Sequence, residues 1–175
     1  MTVSLKFTLL KSYILLRNCF RMNHWRGHGI HSPFMYRLVR EVIVRENPRK
    51  TGRPLPESIA ARLLSERDAA FLRNLYGYLD YPRCIVAGEE TPENRTLCIA
   101  SADVSPEAIG QLIGRIRNDH DECCVAVLGI NKSYDKYRLC KKLIREENCV
   151  SVDLYRTCLF IYDARLRKQH YRLRG

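Results

Sequence analysis

Thr96-Leu97-Cys98-Ile99-Ala100 opens the stretch of sequence that decides the fold, and Cys124–Ile130 (CVAVLGI) closes it. Both runs are short and apolar, which is typical of strands buried on both faces. Between them Ser105-Pro106-Glu107 supplies a helix start, because Ser caps well and Pro suits the first helical position. The residues that follow are apolar at helical spacing: Ile109, Leu112, Ile113 and Ile116. Strand, helix and strand in this order predict a parallel pair with a right-handed crossover, and therefore an α/β domain.

Further strands are predicted on either side of this unit. Arg83–Gly88 is a short apolar run that ends at a glycine, as a buried strand does. After a predicted helix over Tyr134–Glu146, the alternating residues of Val150–Leu154 precede another apolar run, Leu159–Tyr162. Only a short connection around Arg156-Thr157 separates these last two strands, so we expect them to pair antiparallel. The prediction is a sheet of about five strands, parallel except for a C-terminal antiparallel pair.

The first apolar segment, Val3–Phe20, is predicted to be a helix with apolar residues on more than one side. Such a helix usually packs between two neighbours, although a basic, Leu-rich helix can also lie on a membrane surface. Lys6, Lys11 and Arg17 interrupt the segment, so it lacks the roughly 18 consecutive apolar residues of a membrane span. It is also unlike a signal peptide, because no small-residue cleavage site follows it. We expect a packed helix and a cytoplasmic protein.

A second helix is predicted to begin after Ser32, its N-cap, and to stop at Asn47-Pro48, where proline breaks it. Residues 1–56 are predicted to form an N-terminal helical extension and linker. Residues 57–175 are predicted to form the α/β domain, which begins with a helical stretch that has a break near Ser65.

Charge is distributed unevenly along the chain, whose formal net charge is +11. Residues 1–40 contain seven Lys or Arg and no acidic residue, whereas residues 61–130 contain more acidic than basic residues. Basic residues are again in excess over residues 131–175. Basic ends are typical of contact with nucleic acid, an anionic surface or an acidic partner, and equally of a solvated face. An anionic partner is therefore considered for the N-terminal region, where aromatic residues are interspersed.

The eight cysteines are expected to be buried, reduced thiols, because most lie in apolar runs and no two have the Cys-x-x-Cys spacing. Cys123 and Cys124 are adjacent, and strand alternation points them to opposite faces, which disfavours a redox pair. A Cys-His₃ metal site is conceivable near the N-terminus, from Cys19, His24, His28 and His31. These residues match no standard ligand spacing, so the histidines are assigned to capping or packing and no metal site is predicted.

Two segments carry a resemblance to a known family. His28-Gly29-Ile30-His31-Ser32-Pro33-Phe34 resembles a signature near the N-terminus of a bacterial family of class I S-adenosylmethionine-dependent methyltransferase-like proteins. Val150–Tyr155 through Phe160, together with His170–Leu173, is similar to the terminal strands of that family. The resemblance implies a Rossmann-like sheet and, in a complete member, S-adenosylmethionine as the cofactor. It also makes the signature residues site candidates: His28, Gly29, His31, Ser32, Pro33 and Phe34.

The cofactor-binding middle of the family is not matched. The resemblance implies a glycine-rich loop after the first strand and an acidic residue at the end of the second, which binds the ribose hydroxyls. Here Gly88 is followed by Glu89-Glu90-Thr91-Pro92-Glu93, and the next strand begins at Thr96, which leaves no room for two further strands with their helices. Gly88 and Asp103 remain as vestigial cofactor-binding candidates, although Asp103 is more simply the residue before a helix start. No catalytic residue is assigned.

Three functions stay open at this point. The first is a shortened methyltransferase-like pseudoenzyme that needs no cofactor; S-adenosylmethionine is expected only if the family activity is retained. The second is a basic binding module for nucleic acid or an anionic surface. The third is an active methyltransferase completed by a partner or by a second copy of the chain. A phosphate site at Lys132 is a minor alternative, because Gly129–Ser133 has a Gly-x-x-Lys-Ser order but lacks the first glycine of a phosphate-binding loop.

Overall fold

The computed structural model describes Thr8, Ser12 and residues 30–44, 53–61, 65–119 and 122–173. Within this part of the chain, helices pack on both faces of a mixed sheet. The strands are β1 (Arg83–Val86), β2 (Thr96–Ala100), β3 (Glu122–Leu128), β4 (Val150–Asp153), β5 (Thr157–Asp163) and β6 (Gln169–Arg172). The helices are α1 (Pro33–Leu38), α2 (Glu57–Ala60), α3 (Glu66–Leu79), α4 (Pro106–Asp119) and α5 (Tyr134–Glu146), and a π-helical turn, Val39–Ile43, continues α1. The predicted α/β class is confirmed.

The strand order in the sheet is β1-β2-β3-β5-β4-β6. β1, β2 and β3 are parallel, and α4 connects β2 to β3, as the strand, helix and strand pattern predicts. β5 runs antiparallel to β4, with Val152 opposite Leu159, which confirms the predicted C-terminal pair. β5 also runs antiparallel to β3 and so lies between β3 and β4, a position that the sequence did not predict.

The sheet has six strands, so the expected number of about five is wrong. The additional strand is β6, which pairs with β4 in parallel and places Tyr171 beside Val152. Its residues, Gln169-His170-Tyr171-Arg172, are mostly polar and exposed. An edge strand needs no continuous apolar pattern because one of its sides faces solvent, and charged edges also discourage pairing with other chains.

Each face of the sheet carries its own apolar core. On one face α1 and α3 pack on the sheet, and Leu38, Leu72 and Cys124 belong to this core. On the other face α4 and α5 cover the strands, with Ile113, Cys123 and Phe160 among the buried residues. Cys123 and Cys124 therefore point to opposite faces, as strand alternation predicts. The division of the chain into residues 1–56 and 57–175 stays a prediction, but the described part of α1 shares a core with the sheet.

The start of α1 follows from the sequence. Ser32 is the N-cap, and its Oγ accepts a hydrogen bond from the Met35 N–H at 3.4 Å, while Pro33 occupies the first helical position. α3 begins in the same way, because the Ser65 Oγ accepts from the Asp68 N–H at 3.4 Å. The predicted break near Ser65 is thus confirmed as the gap between α2 and α3.

The first testable prediction concerns this cap. Ser32→Ala is expected to lower the free energy of unfolding by about 1 kcal/mol, because a backbone donor at the helix start loses its acceptor. Urea denaturation of the variant and the wild type measures the difference. An unchanged midpoint would contradict the capping role and leave Ser32 free to contact a ligand.

Two predictions lie outside the described residues. These are the first helix, Val3–Phe20, of which only Thr8 and Ser12 are described, and the helix stop at Asn47-Pro48. None of the described helices has the length and apolar character needed to cross a membrane.

Candidate functional site

The carboxyl ends of β1, β2 and β3 meet at one edge of the sheet, because the three strands are parallel and adjacent. In open α/β sheets this edge is where ligands bind. The three strands are followed there by Gly88, by Ser101-Ala102-Asp103 and by Gly129-Ile130-Asn131. A ligand site is therefore expected first at this edge.

The acidic loop after β1 is held by basic and backbone groups of the chain itself. Glu90 and Glu93 both form ion pairs with Arg83, and the Arg83–Glu90 distance is 2.9 Å. The Glu93 carbonyl also accepts a hydrogen bond from the Cys123 thiol at 3.1 Å. Asn94 Oδ1 accepts from the Glu122 N–H at 2.9 Å. Arg83 thus pairs with two of the three acids in this loop.

Gly88 and Asp103 lie close to the start of α4. Gly88 has a φ of +91°, a backbone conformation that favours glycine, and a Cβ added there would lie 4.0 Å from that of Ala108. Asp103 accepts a hydrogen bond from the Ser101 hydroxyl. The Ser105 Oγ accepts from the Ala108 N–H at 3.2 Å, so the helix cap is Ser105 and Asp103 precedes it. Gly88 and Asp103, the two cofactor-binding candidates, thus lie at the same edge of the sheet, and each has a local structural role.

Lys136, on α5, is the most unusual group at this edge. Its side chain is buried, and its Nζ donates to the carbonyl oxygens of Ser101 at 2.9 Å and of Ala102 at 2.7 Å. Burial lowers the pKa of the Lys136 ammonium, and the nearby Asp103 carboxylate opposes this effect. The lysine therefore places a positive charge at the carboxyl end of β2, beneath the loop that leads into α4.

Lys136 was not predicted as a site residue, although its place in the helical pattern of the sequence could have shown it. Lys136, Cys140 and Leu143 lie at helical spacing on α5, and all three are buried. A lysine on the apolar stripe of a predicted helix indicates a buried ammonium with fixed acceptors, since unpaired buried charge is costly.

The residues of the Gly-x-x-Lys-Ser order have structural explanations. Gly129 has a φ of +69°, and an added Cβ would lie only 3.1 Å from the Cβ of Ala102. The Ser133 Oγ caps α5 by accepting from the Lys136 N–H at 3.3 Å. Lys132 is exposed, and the Oδ1 of Asn131 is buried without a hydrogen bond from the described residues. Close packing against Ala102 therefore explains why residue 129 is a glycine, and no bound phosphate is needed to explain it.

The described part of the N-terminal signature connects α1 to α3. The Phe34 ring packs against Tyr78 with 5.9 Å between ring centroids, and the Tyr78 hydroxyl donates to the Phe34 carbonyl at 3.1 Å. Ile30 is buried, His31 and Pro33 are exposed, and Ser32 caps α1. The remaining signature residues, His28 and Gly29, lie outside the described part of the chain.

The structure brings together a serine, a histidine and an aspartate that the sequence did not connect. Ser151 on β4 lies beside His170 on β6, and the Ser151 Oγ is 3.0 Å from the His170 Nδ1. Asp153 accepts from the Tyr155 N–H at 3.1 Å and lies 3.8 Å from the Lys141 ammonium. Ser151 is only 2% exposed, so its hydroxyl is not accessible as a nucleophile. This hydrogen bond instead ties the edge strand to β4.

The hydrogen-bonded pair of Ser151 and His170 leads us to expect that the stability of the fold depends on pH. His170 lies on the exposed edge strand, but desolvation of its ring beside β4 lowers the pKa of His170 from 6.5 to about 4; Asp153 opposes the shift, and Lys141 and Arg172 add to it. Between these two values the unfolded chain binds more protons than the folded chain, so the contribution of His170 to stability is complete above pH 6.5 and is lost as the pH falls towards 4. Urea denaturation of the wild type and of His170→Gln across this range should show the steeper loss in the wild type. Identical slopes would contradict the prediction.

The described cysteines do not form a reactive centre. Six of them are buried, Cys84 is half-buried, and all are free thiols. Burial raises the pKa of Cys84 and of Cys149 to about 12, so both are protonated and unreactive near neutral pH. Among the residues that the structure describes, no three His, Cys, Asp or Glu side chains are grouped so as to hold a metal ion. Cys19, His24 and His28, three of the four residues considered for a metal site, lie outside the described residues.

The residues at this edge do not fit S-adenosylmethionine. β1 and β2 are neighbours joined only by residues 87–95, which contain no further strand or helix. The loop after Gly88 has no further glycine, and it leads back to the amino ends of the strands, where Arg83 pairs with two of its three acids. Lys136 adds a positive charge at an edge that would have to accept a sulfonium cation.

Comparison of the chain with protein-family models, with curated proteins and with solved structures gave no match. The functional assignment therefore depends on the residues and geometry described above.

Proposed function

We propose that this chain is a shortened relative of the class I S-adenosylmethionine-dependent methyltransferase-like proteins, and that it neither binds the cofactor nor transfers a methyl group. The observation that carries the proposal is the direct connection of β1 to β2 through residues 87–95. Parallel neighbours usually need a crossover of a dozen or more residues, most often a helix. A short loop in that place is what removal of a cofactor-binding segment would leave.

The strand order supports the same proposal. In the doubly wound fold the first strand lies beside the fourth, and the second and third strands lie beyond the first. If β1, β2 and β3 correspond to the first, fourth and fifth strands, the missing strands would have formed the outer edge next to β1. Their loss would leave the rest of the sheet paired, as β1, β2 and β3 are here. Titration with S-adenosylmethionine and S-adenosylhomocysteine tests the proposal.

A basic binding module is the second candidate, and the exposed face of α1 favours it. Tyr36 is 39% exposed, and the Arg40 guanidinium lies 5.6 Å from the centre of its ring. Arg37, next to Tyr36, is also exposed. Guanidinium groups beside an accessible aromatic ring provide the phosphate contacts and base stacking used in binding single-stranded nucleic acid.

Salt dependence tests this second candidate. If single-stranded DNA of mixed sequence binds α1, affinity should fall steeply with added salt, and Arg37→Glu should reduce the slope of log affinity against log salt by about 1. Arg115→Glu is the matched control, because Arg115 is an exposed arginine on α4. Binding that is undetectable or independent of salt, or that Arg115→Glu weakens equally, would favour a merely solvated basic face.

A further inference from the structure

We propose that a cleft between the π-helical turn Val39–Ile43, α3 and the β4–β5 turn binds a small organic anion that has an apolar body. The cleft has a volume of about 340 Å³, which is within the range of pockets that hold small molecules. It lies at the carboxyl end of β4, and the Ile130 N–H, after β3, donates to the Arg156 carbonyl in its wall at 3.1 Å. This position is separate from the ends of β1 and β2, so the inference does not depend on the methyltransferase relationship.

The body of the ligand is indicated by the apolar part of the lining. Val42 and Ile43 come from the π-helical turn, Phe71 from α3 and Leu154 from the β4–β5 turn. Ile43 and Phe71 are half-buried, so they offer apolar surface that a ligand can cover. Burying such surface favours an aromatic or aliphatic body over a fully polar one.

The charge of the ligand is indicated by two arginines from distant parts of the sequence. Arg67 lies in the first turn of α3 and Arg156 in the β4–β5 turn, and both line the cleft. Neither guanidinium has an ion pair or side-chain hydrogen bond with another described residue. Asp68 contributes one carboxylate to the lining, so the two arginines leave an excess of positive charge. A carboxylate, sulfonate or phosphate group matches guanidinium geometry.

The walls of the cleft are fixed by irregular backbone. The π-helical turn Val39–Ile43 directs Val42 and Ile43, and such turns are frequent at functional sites. In the β4–β5 turn, between the lining residues Leu154 and Arg156, Tyr155 has a φ of +74°, which is strained for a residue other than glycine. The Asp153 carboxylate holds this conformation by accepting from the Tyr155 N–H at 3.1 Å. The turn that presents Arg156 is therefore organised before any ligand binds.

Two fluorescent probes test the proposal. Anilinonaphthalene sulfonate has an aromatic body and one anionic group, and phenylnaphthylamine has nearly the same body without the charge. The full chain should bind the sulfonate saturably at one site, and Arg67→Glu or Arg156→Glu should each weaken that binding by about tenfold or more, the loss expected for one charge-assisted contact. The same variants should change the affinity for phenylnaphthylamine much less. Both arginines are exposed, so their replacement should leave the fold intact, as circular dichroism can verify.

Arg115→Glu makes the same charge change on α4, away from the cleft, and should leave sulfonate binding unchanged. Phe71→Ala should weaken both probes, because it removes apolar surface from the cleft. The proposal is overturned if the sulfonate does not bind saturably, if Arg115→Glu weakens it as much as the cleft variants do, or if neither cleft arginine affects it.

Discussion

S-adenosylmethionine is expected to give no saturable heat of binding in the micromolar range when it is titrated into the full chain. On the correspondence of strands proposed above, a ribose-binding acid has no strand to occupy, and the loop after Gly88 is tied to Arg83 and to β3. Each polar contact that a ligand cannot make forfeits about 1–3 kcal/mol. Two or three such losses move a micromolar site towards the millimolar range, since about 1.4 kcal/mol corresponds to a tenfold change.

S-adenosylhomocysteine is the control in this titration because it lacks the sulfonium charge. If repulsion from Lys136 alone excluded the cofactor, the uncharged product would bind, whereas a missing pocket wall excludes both ligands. Saturable micromolar binding that does not depend on protein concentration would contradict the proposal and restore the methyltransferase assignment. Binding that increases with protein concentration would instead support an active site completed by a second copy of the chain. The outer edge of β1 offers a place for such a copy, because among the described residues no strand pairs with it.

The central elements were predictable because several sequence signals agree there. After their first residues, Thr96 and Glu122, β2 and β3 are apolar, and α4 has a Ser-Pro start and a regular apolar stripe. The short β4–β5 connection permits only an antiparallel pair. Burial on both faces, helix capping and turn length are local properties, so one sequence is sufficient to show them.

The arrangement of the last strands was not predictable in the same way. β5 lies between β3 and β4 because its two sides pair with strands that are apart in sequence, and no local pattern encodes that order. The residue pattern did not predict β6, because Gln169-His170-Tyr171-Arg172 has the polar composition of an exposed edge; only the resemblance pointed to a strand at His170–Leu173. The cleft was not predicted for a related reason, since the π-helical turn, α3 and the β4–β5 turn that line it are far apart in the sequence.

Lys136→Met is expected to lower the free energy of unfolding by about 2 kcal/mol. Met keeps the apolar stem of the side chain but removes the donor, so the Ser101 carbonyl keeps only its hydrogen bond from the Val104 N–H, at 3.2 Å, and the Ala102 carbonyl must turn to water. Relief of the cost of burying an ammonium, which lowers the pKa of Lys136 in the folded chain, offsets part of this loss. Loss of the ammonium as a donor to both carbonyls outweighs that relief, because a hydrogen bond to a charged group contributes about 1.5–3 kcal/mol.

Lys132→Met is the matched control for this change. Lys132 is exposed in the same loop region, and a surface substitution of this kind usually changes stability by no more than about 0.5 kcal/mol. Equal urea midpoints for the two variants would contradict a structural role for the Lys136 ammonium. We also expect Lys136→Met to remain unable to bind S-adenosylmethionine, because removing the charge does not restore the strand that would hold the ribose; gain of binding would show that this lysine, and not the short β1–β2 loop, excludes the cofactor.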